Sequence, residues 1–231
     1  MNDQTEEAST PKTEVARLDM EKRQRHAGLL SRVAHTFDTL YQTYGDEPLG
    51  VGWSTNAVHD TAIASLLDIV DKEGRDDVCL NDFGCGYGRL FSMVCDQPWF
   101  RRGRYYAYDV SESMVQSLLA KYGNDRRVHA VQSMDPLWKA DYSLVAGTFN
   151  CCMSADREEW LRLIQDSLKQ LWEKSRYGMA VNFLHSDWTR KDSDLLYMEP
   201  EEMERFCKTN FTENLQMLYD IPPGQFGLLM H

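Results

Sequence analysis

Two aspartates and three glycines carry the densest chemical signal in this sequence. In the run VCLNDFGCGYGRL (78–90) a strand-like segment leads straight into Gly84, Gly86 and Gly88 and then into a helical pattern. Glycines at such a turn let backbone approach a ligand closely, and the helix start beyond them offers free amide groups. Tight strand-to-helix turns also use glycine for purely structural reasons, so the neighbouring residues decide the reading. A dinucleotide fingerprint, GxGxxG, needs glycine or alanine at position 89, where the sequence has Arg89. The spacing is instead GxGxG preceded by Asp82, an acid that disfavours a pyrophosphate and suits a ligand with an amine and a sulfonium. A second acid, Asp109, closes the next strand in YYAYDVSESM, where a carboxylate can accept hydrogen bonds from both hydroxyls of a ribose. Shielded from water, such charge-assisted bonds are worth roughly 1.5–3 kcal/mol each. The alternative, that Asp109 merely caps the following helix, is weakened by Ser111, which can cap it unaided.

Elements that would position these residues are legible from periodicity. Short apolar runs at 78–83, 105–110, 128–132, 142–149 and 177–184 read as strands, with helical patterns between them at 90–95, 114–122 and around Trp160, Ile164, Leu168 and Trp172. Alternation of this kind predicts a parallel sheet covered on both faces. A helix after Pro200 and two strand-like runs at 211–219 and 225–230, split by Pro222, Pro223 and Gly224, predict an antiparallel hairpin at one edge. Before the sheet, Ser54 offers a cap for an amphipathic helix through Val58, Ala62, Leu66 and Val70, and the glycine-rich 44–53 must be a loop. Residues 1–12 are polar and acidic and read as a disordered tail. The remainder, 13–231, reads as one domain whose first part, 13–53, is a helical cap with an imperfect apolar face including Leu29, Leu30, Val33 and Phe37. The basic residues Lys22, Arg23, Arg25 and Arg32 of that helix read as a solvated face.

Composition narrows the function classes. The chain has 231 residues, 42% hydrophobic, and 25 basic against 36 acidic side chains give a formal charge of −11. That balance repels phosphate backbones, so a small molecule is expected as partner rather than nucleic acid. No apolar leader and no uncharged apolar run of membrane-spanning length is present, and six cysteines include no CxxC pair. A cytoplasmic protein with free thiols, not a membrane protein, is the expectation. The vicinal Cys151-Cys152 lacks a ligand cluster at metal spacing, so no metal is expected.

The segment Asp82-Phe83-Gly84-Cys85-Gly86-Tyr87-Gly88, followed by Tyr108-Asp109-Val110-Ser111 and Met114, resembles motifs one and two of the class I S-adenosylmethionine (SAM)-dependent methyltransferases. The resemblance extends over nearly the whole chain and is specific as to cofactor. It implies a Rossmann-like α/β fold, a mostly parallel seven-stranded sheet with helices on both faces and a C-terminal antiparallel hairpin. It implies SAM as cofactor and S-adenosylhomocysteine as product. Cofactor contacts are then expected from Asp82, Gly84, Cys85, Gly86, Arg89 and Asp109, with Val110 and Met114 beside the adenosine. Ser133 and Met134 after the third strand would meet adenine, and Gly147 opens the segment after the fourth. Tyr44 and Trp53 would form a lid. Similar chains suggest bacterial natural-product or polysaccharide pathways, with a faint likeness to tabtoxin biosynthesis.

On the acceptor side, Asn150 after strand four and His185 after strand five, with Asp187 nearby, are the candidate catalytic residues, because open parallel sheets bind ligands beyond the carboxyl ends of their strands. Thr148-Phe149-Asn150-Cys151 departs from the D/N-P-P-Y signature, so planar amino groups lose support as acceptors. The expected function is methyl transfer to a small molecule. A SAM-binding protein with other chemistry, or a sensor or scaffold, is the alternative.

Overall fold

A computed structural model describes residues 11–231, with backbone alone for 11–23 and 25. Most of the expected tail therefore lies outside the described residues, as do the side chains of Val15, Leu18, Lys22, Arg23 and Arg25. Helix α1 spans Pro11–Tyr44, two residues earlier than expected, and α2 spans Asn56–Leu66. The cap of α2 is Thr55, not Ser54: its side chain accepts from the Val58 N–H at 3.2 Å, three residues on, where a cap must reach.

Then come β1 (Cys79–Phe83), α3 (Arg89–Val94), β2 (Arg104–Asp109), α4 (Glu112–Tyr122), β3 (Val128–Gln132), β4 (Ala140–Val145), α5 (Arg157–Glu173) and β5 (Ser175–His185). The chain ends with β6 (Tyr197–Met198), α6 (Pro200–Asn210), β7 (Leu215–Tyr219) and β8 (Gln225–Met230). One sheet runs in the order β3-β2-β1-β4-β5-β8-β7. Strands β1 to β5 are parallel neighbours along it, and β8 pairs antiparallel with both β5 and β7, giving the expected hairpin. The eighth strand, β6, is two residues pairing with the end of β5 beyond its partner β4, too short to show as a periodic pattern. The fourth strand stops at Val145 instead of reaching Phe149, because Gly147 takes φ +75° and leaves the extended region.

Each face of the sheet buries its own core. Leu80, Tyr105 and Leu144 meet α2, α3 and α4 on one face. Phe83, Tyr108, Val181 and Phe226 meet α1, α5 and α6 on the other. Helix α5 shows how the sequence does this. Asp156 caps it by accepting from Glu159, and Trp160, Leu163, Ile164, Leu168 and Leu171 repeat at helical spacing and are all buried. Each such side chain contributes roughly 1.5–3 kcal/mol. Helix α1 behaves otherwise: Leu29 and Val33 are buried against Phe83 and Tyr108, and the helix is joined to α4 through Asp38 and to α5 through a 3.7 Å contact between His26 and Asp166. Arg32, the described member of its basic cluster, is exposed.

Candidate active site

The glycine loop forms at the carboxyl end of β1 with Gly84, Gly86 and Gly88 all at positive φ, +79°, +51° and +88°. Positive φ alone accounts for glycine there. Space does so again, though not for the reason the sequence suggested. A Cβ on Gly84 would collide with the Thr148 side chain, and one on Gly86 would lie 2.8 Å from Val51. Glycine thus lets the segments after β4 and before α2 close onto the loop. Thr148 donates to the Phe83 carbonyl at 2.6 Å and fixes that closure.

Asp109 lies at the end of β2, next to the loop. Its two oxygens accept one backbone N–H each, from Gly86 and from Ser111, both at 2.9 Å. Each oxygen keeps lone-pair capacity for a further donor. Burial raises its carboxyl above the usual range against the opposing effect of these hydrogen bonds. Ser111 independently caps α4 by accepting from Met114 N–H at 3.2 Å, as expected.

Around this pair the structure forms a cleft of about 870 Å3, its open mouth included. It brings together Gly84, Cys85, Gly86, Arg89, Asp109 and Val110 with Met114, Ser133, Met134, Gly147 and Trp53. Arg89 reaches the wall already paired, its Nε and Nη2 donating to the two Asp60 oxygens at 2.7 and 2.6 Å, so its charge is balanced within the protein. Burial and the nearby acids Asp109 and Asp82 push the Cys85 thiol far up, which keeps it protonated and inert.

Four expected site residues are not on the cleft wall. Asp82 faces away from it, buried behind the loop, and accepts a hydrogen bond from the Tyr105 hydroxyl. Side chains alternate along β1, and the face that Asp82 shares is the one packed on α3. Tyr44 is exposed at the end of α1, leaving Trp53 as the aromatic of that segment against the cleft. Asn150 is buried, and its Oδ1 accepts the Leu184 N–H at 3.2 Å, tying the segment after β4 to the end of β5. His185 accepts the Asp187 N–H on Nδ1 at 3.0 Å within a turn and stands edge-on to Phe226; the Asp187 carboxylate is 4.0 Å away and almost fully exposed.

The sequence reading expected the helical cap but, beyond the lid at Tyr44 and Trp53, assigned no cleft residue to it, nor any to the α5 side. Leu30, Val33 and Phe37 of α1 cover the cleft, and Phe149, Trp160 and Leu163 close it from the α5 side. Trp160 is set by its indole N–H, which donates to the Phe149 carbonyl at 2.9 Å. Asn182, fully buried in β5, accepts the Gly147 N–H at 2.7 Å and donates to Gln225 at 2.6 Å, holding the turn after β4 in place. Also missed was His59, a buried cleft residue stacked on Trp53. Its position on the inward stripe of α2, four residues before Ile63, was the available signal.

These residues fit SAM. Asp109 offers acceptor capacity for ribose hydroxyls, Val110, Met114 and Phe37 offer apolar surface for a flat base, and the charge of Arg89 on the wall is balanced by Asp60. Gly147, whose absent Cβ would lie 2.7 Å from the Trp53 ring, lets that aromatic come down onto the cleft. All six cysteines are unpaired. Among the described residues no helix is long and apolar enough to cross a membrane.

No family model matches the chain. It is 29% identical over 157 residues to "Putative methyltransferase Rv1506c" of Mycobacterium tuberculosis, covering 67% of this chain and 93% of that protein. Its fold is similar to that of magnesium protoporphyrin IX methyltransferase from Synechocystis with bound S-adenosylhomocysteine, with TM-score 0.59, 13% identity, and coverage of 90% of this chain and 98% of that one. It is similar as well to a phosphoethanolamine N-methyltransferase of Haemonchus contortus in complex with phosphoethanolamine and S-adenosylhomocysteine, with TM-score 0.60, 11% identity, and coverage of 85% and 48%. The chain thus has the fold of these S-adenosylhomocysteine-bound methyltransferases.

Proposed function

We propose that the protein is a SAM-dependent methyltransferase acting on a small-molecule acceptor. The observation that carries this reading is convergence: a glycine loop, the Asp109 carboxylate and the residues after β3 and β4 meet in one cleft at the carboxyl ends of the parallel strands. SAM supplies an activated methyl group, so the protein's task is alignment and exclusion of water. Alignment alone is worth roughly 7–11 kcal/mol at its favourable limit. Asp109 orients the ribose, Val110, Met114, Ser133 and Met134 enclose the adenosine, and Gly84, Cys85, Gly86, Arg89 and Gly147 shape the opposite wall. Trp53 presents an aromatic face to the sulfonium. Asp82 supports the loop from behind, and Asn150 and His185 are positioning residues that hold the backbone around the acceptor side.

The relative and the fold neighbours named as methyltransferases support this reading, and two of those neighbours are named for small molecules, magnesium protoporphyrin IX and phosphoethanolamine. An acidic chain with a formal charge of −11 fits a metabolite better than a polyanion. Unpaired cysteines fit a cytoplasmic enzyme, and the faint likeness to tabtoxin biosynthesis suggests a bacterial natural-product pathway, such as that of an amino-acid-derived toxin.

Isothermal titration with SAM and with S-adenosylhomocysteine tests the site; micromolar binding of both is expected. No binding of either by a folded sample overturns the reading. Incubation with amine, hydroxyl and carbon acids must then yield S-adenosylhomocysteine in step with acceptor methylation. Other products from SAM would assign non-methylating chemistry.

A further inference from the structure

His59 stands in the first turn of α2, buried to 7% exposure, and lines the cleft. Its ring stacks on Trp53 with centroids 4.8 Å apart and planes 10° from parallel, and Trp53 rests over Gly147. The Nδ1 atom is sealed from solvent without a hydrogen-bond partner, so Nε2 is the ring nitrogen available to a ligand. A neutral imidazole carries one N–H, and placing it on Nε2 avoids a buried N–H without an acceptor. Burial, aided by the Arg89 charge and opposed by Asp60, holds the imidazole down at about 4, hence uncharged at neutral pH.

Position along the cleft gives this donor its target. Asp109, Ser133 and Met134 mark the end above β2 and β3, while Arg89, Trp53 and Gly147 mark the end above β1 and β4. A ligand with its ribose at Asp109 extends its remaining part toward His59. For SAM that part is an amino acid, with a carboxylate in need of donors, and the guanidinium on that wall is already occupied by Asp60.

We infer that His59 binds the carboxylate at the amino-acid end of the cofactor through Nε2–H, an assignment that rests on the cleft being a SAM site. His59→Phe keeps the stack on Trp53 and removes both nitrogens. Titration of wild type and H59F with SAM, S-adenosylhomocysteine and 5′-methylthioadenosine, which lacks the amino acid, tests it. The variant is expected to lose about tenfold or more in affinity for the first two ligands, the loss of one hydrogen bond to a charged group, and to bind methylthioadenosine like wild type. Equal loss for all three ligands, or loss for none, overturns the assignment. Should H59F not fold, 15N spectra of the wild type decide: SAM must shift the His59 Nε2 signal and methylthioadenosine must not, and equal responses overturn the assignment. Failure of wild type to bind SAM at all would instead remove the cofactor reading, and this inference with it.

Discussion

The carboxylate of Asp38, on the helix that roofs the cleft, accepts a hydrogen bond from the Ser111 hydroxyl at 2.6 Å, at the cap of the helix that follows Asp109. Ser113 donates to the same oxygen from both its backbone and its hydroxyl. Burial works against the Asp38 charge, but these bonds outweigh it and hold the carboxyl below its usual range. A few residues on, Asp46 accepts from Lys121 at 2.8 Å and from Ser117 at 2.9 Å. The roof is therefore fastened to the same helix that follows Asp109. Asp38→Ala is expected to cost about 1–2 kcal/mol locally, to speed hydrogen exchange in the second half of α1 and to weaken SAM binding several-fold. Unchanged exchange in α1 would show that apolar packing alone holds the roof.

Asp109→Ala should lower SAM affinity at least about tenfold, since charge-assisted bonds to the ribose are lost. The fold should persist, because Ser111 caps α4 without it. Far-ultraviolet dichroism together with titration checks both parts; full affinity in a folded variant would remove Asp109 from the site.

Asp82 should make stability depend on pH. Burial, the largest cause, and the Asp109 charge raise its carboxyl from 3.8 to about 7, against the Tyr105 hydrogen bond. Between about 4 and 7 the folded state holds a proton that the unfolded state has released, so this group lowers stability as pH rises through that window. Asp82→Asn is therefore expected to gain on wild type by roughly 1–3 kcal/mol at pH 8 and to match it only below about pH 4, where both states hold the proton. His59 acts in the opposite sense: lowered from 6.5 to about 4, it costs stability as pH falls through that range. Urea unfolding at several pH values measures both, and a pH-independent difference between wild type and D82N would refute the assignment.

Gly147→Ala places a methyl group 2.7 Å from the Trp53 ring at φ +75°. It should cost about 1–3 kcal/mol and displace the aromatic, with weaker SAM binding. In a Trp53→Ala background the steric part should vanish while the backbone part remains, a coupling that a double-mutant cycle measures. Additive effects would mean that the two residues do not meet.

Local chemistry explains what was legible. Helices and strands announce themselves over short stretches, so the alternation from β1 to β5, the cap at Ser111 and the terminal hairpin could be read directly. The glycine turn and Asp109 were equally readable, because the motif lies within one β-α-β unit. Two-residue β6 lies below what periodicity can show, and the exact ends of β4 and of the α2 cap turn on one or two residues of backbone geometry.

Direction and distance were decided only by the tertiary structure. Sequence places Asp82, Asn150 and His185 near the right end of the sheet, yet packing turns Asp82 toward Tyr105 and spends Asn150 and His185 on backbone hydrogen bonds. It is Thr148 and Val51, brought from 64 and 35 residues away, that require Gly84 and Gly86 to lack side chains. The roof from α1, the wall from α5, the His59–Trp53 stack and the Asn182 brace likewise join segments far apart in the chain. A sequence determines local conformation through nearest neighbours, and so set the glycine loop and Asp109 beside it; which side chains face one another across a cleft depends on long-range packing, which no local pattern encodes.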